Sequence, residues 1–207
     1  MIYMPTHFTV ADRANQIALM RAFPFATLAS VADGVPAFSH VPLVVEERGG
    51  AIVLLGHVAI ANPHWRSWSA DQHVIAVFHG PNGYVSPRLY SVREAVPTWN
   101  YIAVHAQGRL RTVQDSDGKE RILKALIDVH DVPYREQWDE LGEEFREKMK
   151  RGIVGVEIAV ERIDGKFKLS QNRPPQDRAS VLGAMEAGGA GERALAEWMR
   201  RLGIGVA

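Results

Sequence analysis

The stretch Gly56-His57-Val58-Ala59-Ile60-Ala61-Asn62-Pro63-His64-Trp65-Arg66 carries the densest chemistry in the chain. An apolar run, Ala51-Ile52-Val53-Leu54-Leu55, leads through Gly56-His57 to Asn62-Pro63, which reads as a helix start over 62–70. Asn is a favoured N-cap and Pro is favoured at the first helical position. A helix N-terminus offers unpaired N–H groups and a positive dipole end, and so suits an anion such as a phosphate. Arg66, in the first turn, adds a forked and permanently charged donor. Two readings stand side by side. One is a phosphate-bearing ligand held where a strand turns into a helix. The other is a capped surface helix with Trp65 and Trp68 in the core and Arg66 in water.

Two more segments combine polar and aromatic residues. Residues 96–108, VPTWNYIAVHAQG, place Thr98, Asn100 and His105 on a strand with Trp99 and Tyr101. Alternation puts Trp99, Tyr101 and Ala103 on one face and Thr98, Asn100 and Ile102 on the other. Residues 168–178, KLSQNRPPQDR, put Lys168, Ser170, Gln171, Asn172 and Arg173 just past a strand end. Such donors can bind an anion or the polar edge of a flat ring. They also suit a solvated loop ahead of a helix entered through Pro174-Pro175.

Other chemistries lack their residues. The absence of cysteine removes disulfides, thiolate metal sites and cysteine nucleophiles. The eight histidines never take the paired spacing of a helical zinc site, so no metal is expected. No Gly-x-Ser-x-Gly is present. Gly183, Gly188, Gly189 and Gly191 miss the dinucleotide spacing and follow no strand, so they read as a flexible link between two helices.

The elements that must position these residues follow from periodicity and turn signals. Asp12–Phe23 reads as a helix capped by Asp12 and ended by Pro24. Strands are expected over 26–31 and 35–46 around Asp33-Gly34, and over 44–48 and 51–55 around Gly49-Gly50. Further strands are expected over 73–79 and 98–113, the latter bent or bulged at Gly108. A last pair, 153–162 and 166–170, flanks a turn at Asp164-Gly165. Helices are expected over 119–130, over 133–151 with Trp138, Leu141, Phe145 and Met149 in a stripe, and over 192–202. Several short strands joined by tight turns, with helices inserted, read as an α+β antiparallel barrel.

With 207 residues, 46% of them hydrophobic, the chain can bury a substantial core. Its 24 basic and 24 acidic residues give zero formal charge, which predicts no strong non-specific grip on nucleic acid. Lys119, Arg121, Lys124, Arg146, Lys148, Lys150 and Arg151 could form a basic patch, but Glu120, Glu143, Glu144 and Glu147 dilute it. No run approaches the roughly 20 apolar residues of a membrane span, and the start lacks a secretory pattern. A cytoplasmic protein without membrane partners is expected.

The motifs Tyr3/Pro5/Phe8, SHVPL at 39–43, GHVAIANPHWR, FHGPNGYVSPRLY at 78–90, VPTWNY, GIVGVEI at 152–158 and KLSQNR occur in that order over residues 1–180. In this combination the chain resembles the PaiB-like FMN-binding negative transcriptional regulators. The resemblance implies an antiparallel split β-barrel related to pyridoxamine phosphate oxidase. It implies one domain over 1–207 with helical additions at about 119–151 and 174–207. It also implies FMN as cofactor, bound by a homodimer at its subunit interface. Carried over by motif position, His57, Asn62 and Arg66 fall near the FMN phosphate. Lys168, Ser170, Gln171 and Arg173 fall near the flavin or the partner, and Trp99 and Asn100 line the ring pocket. Related barrels often hold the phosphate with an Arg/Lys pair on adjacent strands, whereas Ala51–Leu55 has no basic residue. DNA is a partner by resemblance only, since charge does not support it and no helix-turn-helix is evident. The alternative on the same barrel is a flavin-dependent reductase or oxidase, or a haem-handling relative. Whether the chain is an enzyme stays open at this level.

Overall fold

Two dipeptides, Asp33-Gly34 and Gly49-Gly50, reverse the chain with φ positive at both residues, the geometry that matches the twist of a tight hairpin. They join β2 (Phe25–Ala32) to β3 (Val35–Pro42) and β4 (Val44–Arg48) to β5 (Ala51–Ala59). The computed structural model describes residues 3–206, so positions 1, 2 and 207 of the single domain expected over 1–207 lie outside the described residues. The remaining strands are β1 (Thr9–Val10), β6 (Gln72–Val85), β7 (Thr98–Val113) and β8 (Ile153–Lys168). They form one eight-stranded sheet in the order β3-β2-β6-β7-β8-β5-β4, with β1 paired to β8. The helices are α1 (Arg13–Ala22), α2 (Ser116–His130), α3 (Tyr134–Glu140), α4 (Glu143–Arg151), α5 (Pro175–Glu186) and α6 (Ala190–Arg201).

The chain groups into two compact units. One comprises Met1–Gln16, His79–Val104 and Asp164–Ala207; the other comprises Ile17–Phe78 and His105–Ile163. In the second unit, α2 covers the β4–β5 hairpin: Ile122 and Leu126 pack with Val44, Val53, Leu55 and Val113. In the first, α6 buries Leu195 and Met199 and sets Trp198 edge-on to Phe167 of β8, with ring centroids 5.6 Å apart. The buried face of this last helix is thus covered within its own unit.

Three expectations need correction. The turn at Asp164-Gly165 does not form, because β8 runs unbroken from Ile153 to Lys168. Gly165 is there for room: it pairs with Val10 of β1, and a Cβ would crowd Gln16 and the Val10 carbonyl. The helix expected over 133–151 is two helices, since Leu141 turns extended and Gly142 starts α4. Its stripe is not a common core face, for Trp138 is buried while Phe145 and Met149 are exposed. The helix expected from Asn62 is a 3-10 turn of five residues, Pro63–Ser67.

Glu157, on β8, is the electrostatic centre of the second unit. Arg121 of α2 approaches it to 2.7 Å, Arg111 of β7 to 3.2 Å and Arg48 of β4 to 3.3 Å. Burial raises the carboxyl pKa, but the three guanidinium hydrogen bonds outweigh it and hold the group at about 2. A folded pKa below the ordinary 4.5 stabilises the fold above that value, and the gain is lost as pH falls from 4.5 toward 2. Because the arginines are partly exposed, the gain is about 1–2 kcal/mol rather than the full value of the shift. Glu157→Gln should therefore lower stability at neutral pH by about that amount and flatten the acid limb below pH 4.5, as read by urea melts across pH.

Candidate functional site

In the first unit, the end of β8 and the start of β7 build a polar wall. Asn100 and Ser170 are 0% and 3% exposed, with Asn100 Nδ2 donating to Ser170 Oγ at 3.0 Å. Ser170 sits at φ 67, a left-handed conformation uncommon for a residue other than glycine. The following turn over-determines it. Arg173 N–H donates to the Ser170 carbonyl at 2.9 Å. The Gln171 side chain accepts from Leu169 N–H at 2.7 Å and donates to the Phe167 carbonyl.

Lys168 Nζ donates to Thr98 Oγ1 at 2.5 Å and lies 5.9 Å from the Phe8 ring centroid. The Arg173 guanidinium stacks 4.0 Å over the ring of Tyr90. Tyr90 follows a 3-10 turn, Pro87–Leu89, capped by Ser86. The buried carboxylate of Asp177, in the first turn of α5, pins this loop by accepting from Ser91 N–H at 2.8 Å. A cavity of about 250 Å³ opens among Phe8, Tyr90, Pro97, Thr98, Asn100, Lys168, Ser170 and Arg173. Trp99 is not in it. Half exposed, it lies edge-on to Tyr84 and donates from Nε1 to Asn82 Oδ1 at 3.1 Å.

In the second unit, the Asn62 side chain caps its 3-10 turn by accepting from His64 N–H at 3.0 Å. The turn ends at once: Trp68 N–H closes on the Trp65 carbonyl, Trp68 is extended, and β6 begins at Gln72. So short a turn has little macrodipole. What it offers an anion is the Arg66 side chain, which is exposed with its guanidinium 5.6 Å from the Trp65 ring centroid. Beneath it His64 is buried between two hydroxyls. Nε2 is 2.8 Å from Ser30 Oγ and Nδ1 is 2.9 Å from Ser39 Oγ, while Asn62 Nδ2 donates to Ser39 at 2.9 Å. Burial lowers the His64 pKa, so the ring is neutral and matched by one donor and one acceptor. His57 faces Gly155 of β8 in register; burial lowers its pKa too, and its Nδ1 bonds to no described protein group.

Of the residues singled out in the sequence, Thr98, Asn100, Lys168, Ser170, Asn172 and Arg173 come to one cavity. Gln171 braces its turn, Trp99 faces elsewhere, and Asn62 and Arg66 share the 3-10 turn. Tyr90 and Phe8 of the cavity, and the Ser30–His64–Ser39 chain, were not found by residue type and spacing. Both cavity residues sit inside motifs that carry the resemblance, whereas the serines lie 34 and 25 residues from His64 and leave no local signal.

The basic helices bear on nucleic acid. Arg121, Lys124, Arg146 and Lys150 are all paired with carboxylates, and buried Lys119 donates to the Lys150 carbonyl. Among the described residues no cluster of three or more His, Asp or Glu side chains could hold a metal, and no helix is long and apolar enough to cross a membrane.

The family model described as "Putative FMN-binding domain" matches residues 2–162. The chain is 34% identical over 184 residues to protease synthase and sporulation protein PAI 2 of Bacillus subtilis (strain 168), covering 87% of each chain. Among solved structures it is similar to the flavocytochrome Anf3 from Azotobacter vinelandii, with TM-score 0.61 and 18% identity over 77% of this chain and 69% of that one. It is also similar to the FAD and heme binding protein from Mycobacterium smegmatis, with TM-score 0.59 and 20% identity over 78% and 73%. The fold class is the one expected: α+β, an antiparallel split β-barrel with inserted and C-terminal helices.

Asn62→Ala removes both the cap on His64 N–H and the donor to Ser39, and should cost about 1–2 kcal/mol in denaturant melts. The His64 pKa lies below 6.5 in the fold, so its contribution is complete above pH 6.5 and is lost as pH falls beneath it. His64→Gln, which does not titrate, should remove that part of the pH dependence.

Proposed function

The chain belongs to the FMN-binding family whose model spans residues 2–162, and on that premise we propose that it works as a flavin-binding homodimer with a negative regulatory role in transcription. The family match carries the reading, and FMN is the cofactor it implies. The nine residues carried over from the motifs are its proposed contacts. His57, Asn62 and Arg66 serve the phosphate. Trp99 and Asn100 serve the ring pocket, and Lys168, Ser170, Gln171 and Arg173 serve the flavin or the partner subunit. At about 250 Å³, the cavity in one chain is smaller than the roughly 300–1,000 Å³ of typical ligand pockets, so a single chain encloses only part of an FMN.

What supports the dimer is an uncovered apolar face on the β2–β3 hairpin. Residues facing outward in register include Phe25 opposite Pro42, Ala29 opposite Phe38 and Val31 opposite Pro36. Phe25 and Phe38 are 66% and 63% exposed and Val31 is exposed on the same face, with the hydrogen-bonded Thr27–His40 pair lying between the Phe25 and Phe38 pairs. Exposed large apolar side chains grouped on one face of a sheet-edge hairpin favour an interaction surface, and a two-fold pairing of identical faces covers both at once. The ion pairs of Arg121, Lys124, Arg146 and Lys150 favour regulation through a partner over a direct grip on DNA.

Three outcomes are expected. Phe38→Asp should convert the dimer to monomer in sedimentation equilibrium at micromolar concentration; a wild-type monomer would remove the interface. Arg66→Ala should weaken FMN by about ten- to a hundredfold, from about 1.5–3 kcal/mol for a charge-assisted hydrogen bond, and leave riboflavin unchanged in fluorescence titrations. Equal losses for both ligands would take Arg66 off the phosphate. In anisotropy titrations at physiological salt, the protein should show no complex with its own upstream DNA in the range of about 10 nM or tighter that specific binders reach.

A further inference from the structure

The cavity at the ends of β7 and β8 has a charge pattern that flavin binding alone does not require. Lys168 and Arg173 both line it, and no carboxylate does. This is unlike the second unit, where arginines converge on Glu157 and Glu46. The polar partners are instead uncharged: Lys168 donates to a threonine hydroxyl, and Arg173 lies flat on the Tyr90 ring. Two cations in a concave, partly dry site without a counter-charge attract an anion more strongly than the same pair in water. The floor beneath them is the buried Asn100–Ser170 pair, whose amide and hydroxyl can donate to or accept from a ligand oxygen. Phe8, Tyr90, Val96 and Pro97 make the apolar and aromatic walls, and Asn172 adds one more uncharged polar side chain.

We propose that this cavity binds a small organic anion: a ligand with one flat or apolar ring, seated against Phe8, Tyr90 and Pro97, and one carboxylate or phosphate head, held by Lys168 and Arg173. The size agrees, since about 250 Å³ suits a single ring with its head group and not a dinucleotide. The strained backbone at Ser170 agrees as well, because strain of this kind clusters at ligand clamps. Arg173 has a ready motion for the task. Its backbone is anchored by the turn, which leaves the guanidinium free to move from the Tyr90 face and fork onto two oxygens of the head. The proposal rests on the flavin reading only in treating this wall as ligand-facing. Because the same side chains are the proposed flavin contacts, the anion takes the cavity of the chain free of FMN and competes with FMN for it.

The probes are benzoate, phenyl phosphate and the neutral benzyl alcohol, titrated by calorimetry into the full chain, without FMN and with FMN added. At least one anion should bind at one site per chain and at least tenfold more tightly than benzyl alcohol, with affinity falling as salt rises. Lys168→Met and Arg173→Met should each weaken that anion about tenfold or more, and Arg173→Lys should recover part of the loss. Arg193→Met, which removes a cation from α6 outside the cavity, should leave it unchanged. If Arg173→Met fails to fold, Lys168→Met and the salt series decide. Equal affinity for benzoate, phenyl phosphate and benzyl alcohol, or full anion affinity in Lys168→Met, would overturn the proposal. Anion binding without FMN binding would refute the flavin reading and keep this one; FMN binding with no anion binding would do the reverse.

Discussion

Backbone crowding between β7 and β8 is the constraint on which much else depends. At Gly108 a Cβ would lie 2.1 Å from the Ala159 carbonyl oxygen and 3.0 Å from the Val160 Cα. The φ of Gly108 is not in the left-handed region, so the requirement is for space and not for an unusual conformation. Any side chain would force apart two 16-residue strands. These are the strands that carry Arg109 and Arg111 to Glu161 and Glu157 in one unit, and Thr98 and Asn100 to Lys168 and Ser170 in the other.

The two candidate ligand regions use opposite strategies for buried polarity. Around His64, every polar atom of the ring finds a neutral partner, and such fully satisfied networks rigidify a turn. Around Lys168 and Arg173, the charges meet hydroxyl and aromatic partners and no carboxylate lines the wall. A satisfied network makes a scaffold, and an uncompensated one makes a binding surface. The strain at Ser170, of order 1–3 kcal/mol for a residue held in a sparse region, is carried by three hydrogen bonds of the turn that follows.

Where a structural decision is local, the sequence displays it. Asp33-Gly34 and Gly49-Gly50 take positive φ within their own residues, so both hairpins are legible. The alternation of β7 correctly separates Trp99 from Asn100. Asp164-Gly165 has the same turn composition, yet β1 pairs across it and holds it extended, a decision made by residues some 155 positions away. The stripe from Trp138 to Met149 continues smoothly through Leu141-Gly142, so periodicity hides a break that Gly142 alone could signal. Within the site, Lys168, Ser170 and Arg173 were readable because they cluster in one turn. Tyr90 and the two serines around His64 were not, because the fold brings them in from distant strands and loops.

The central claim is that this chain holds FMN. Equilibrium dialysis of the purified protein against FMN tests it most directly. Saturation at one FMN per chain is expected, with riboflavin bound more weakly because it lacks the phosphate. No retention of FMN above the free concentration, or equal retention of riboflavin and FMN, would contradict it.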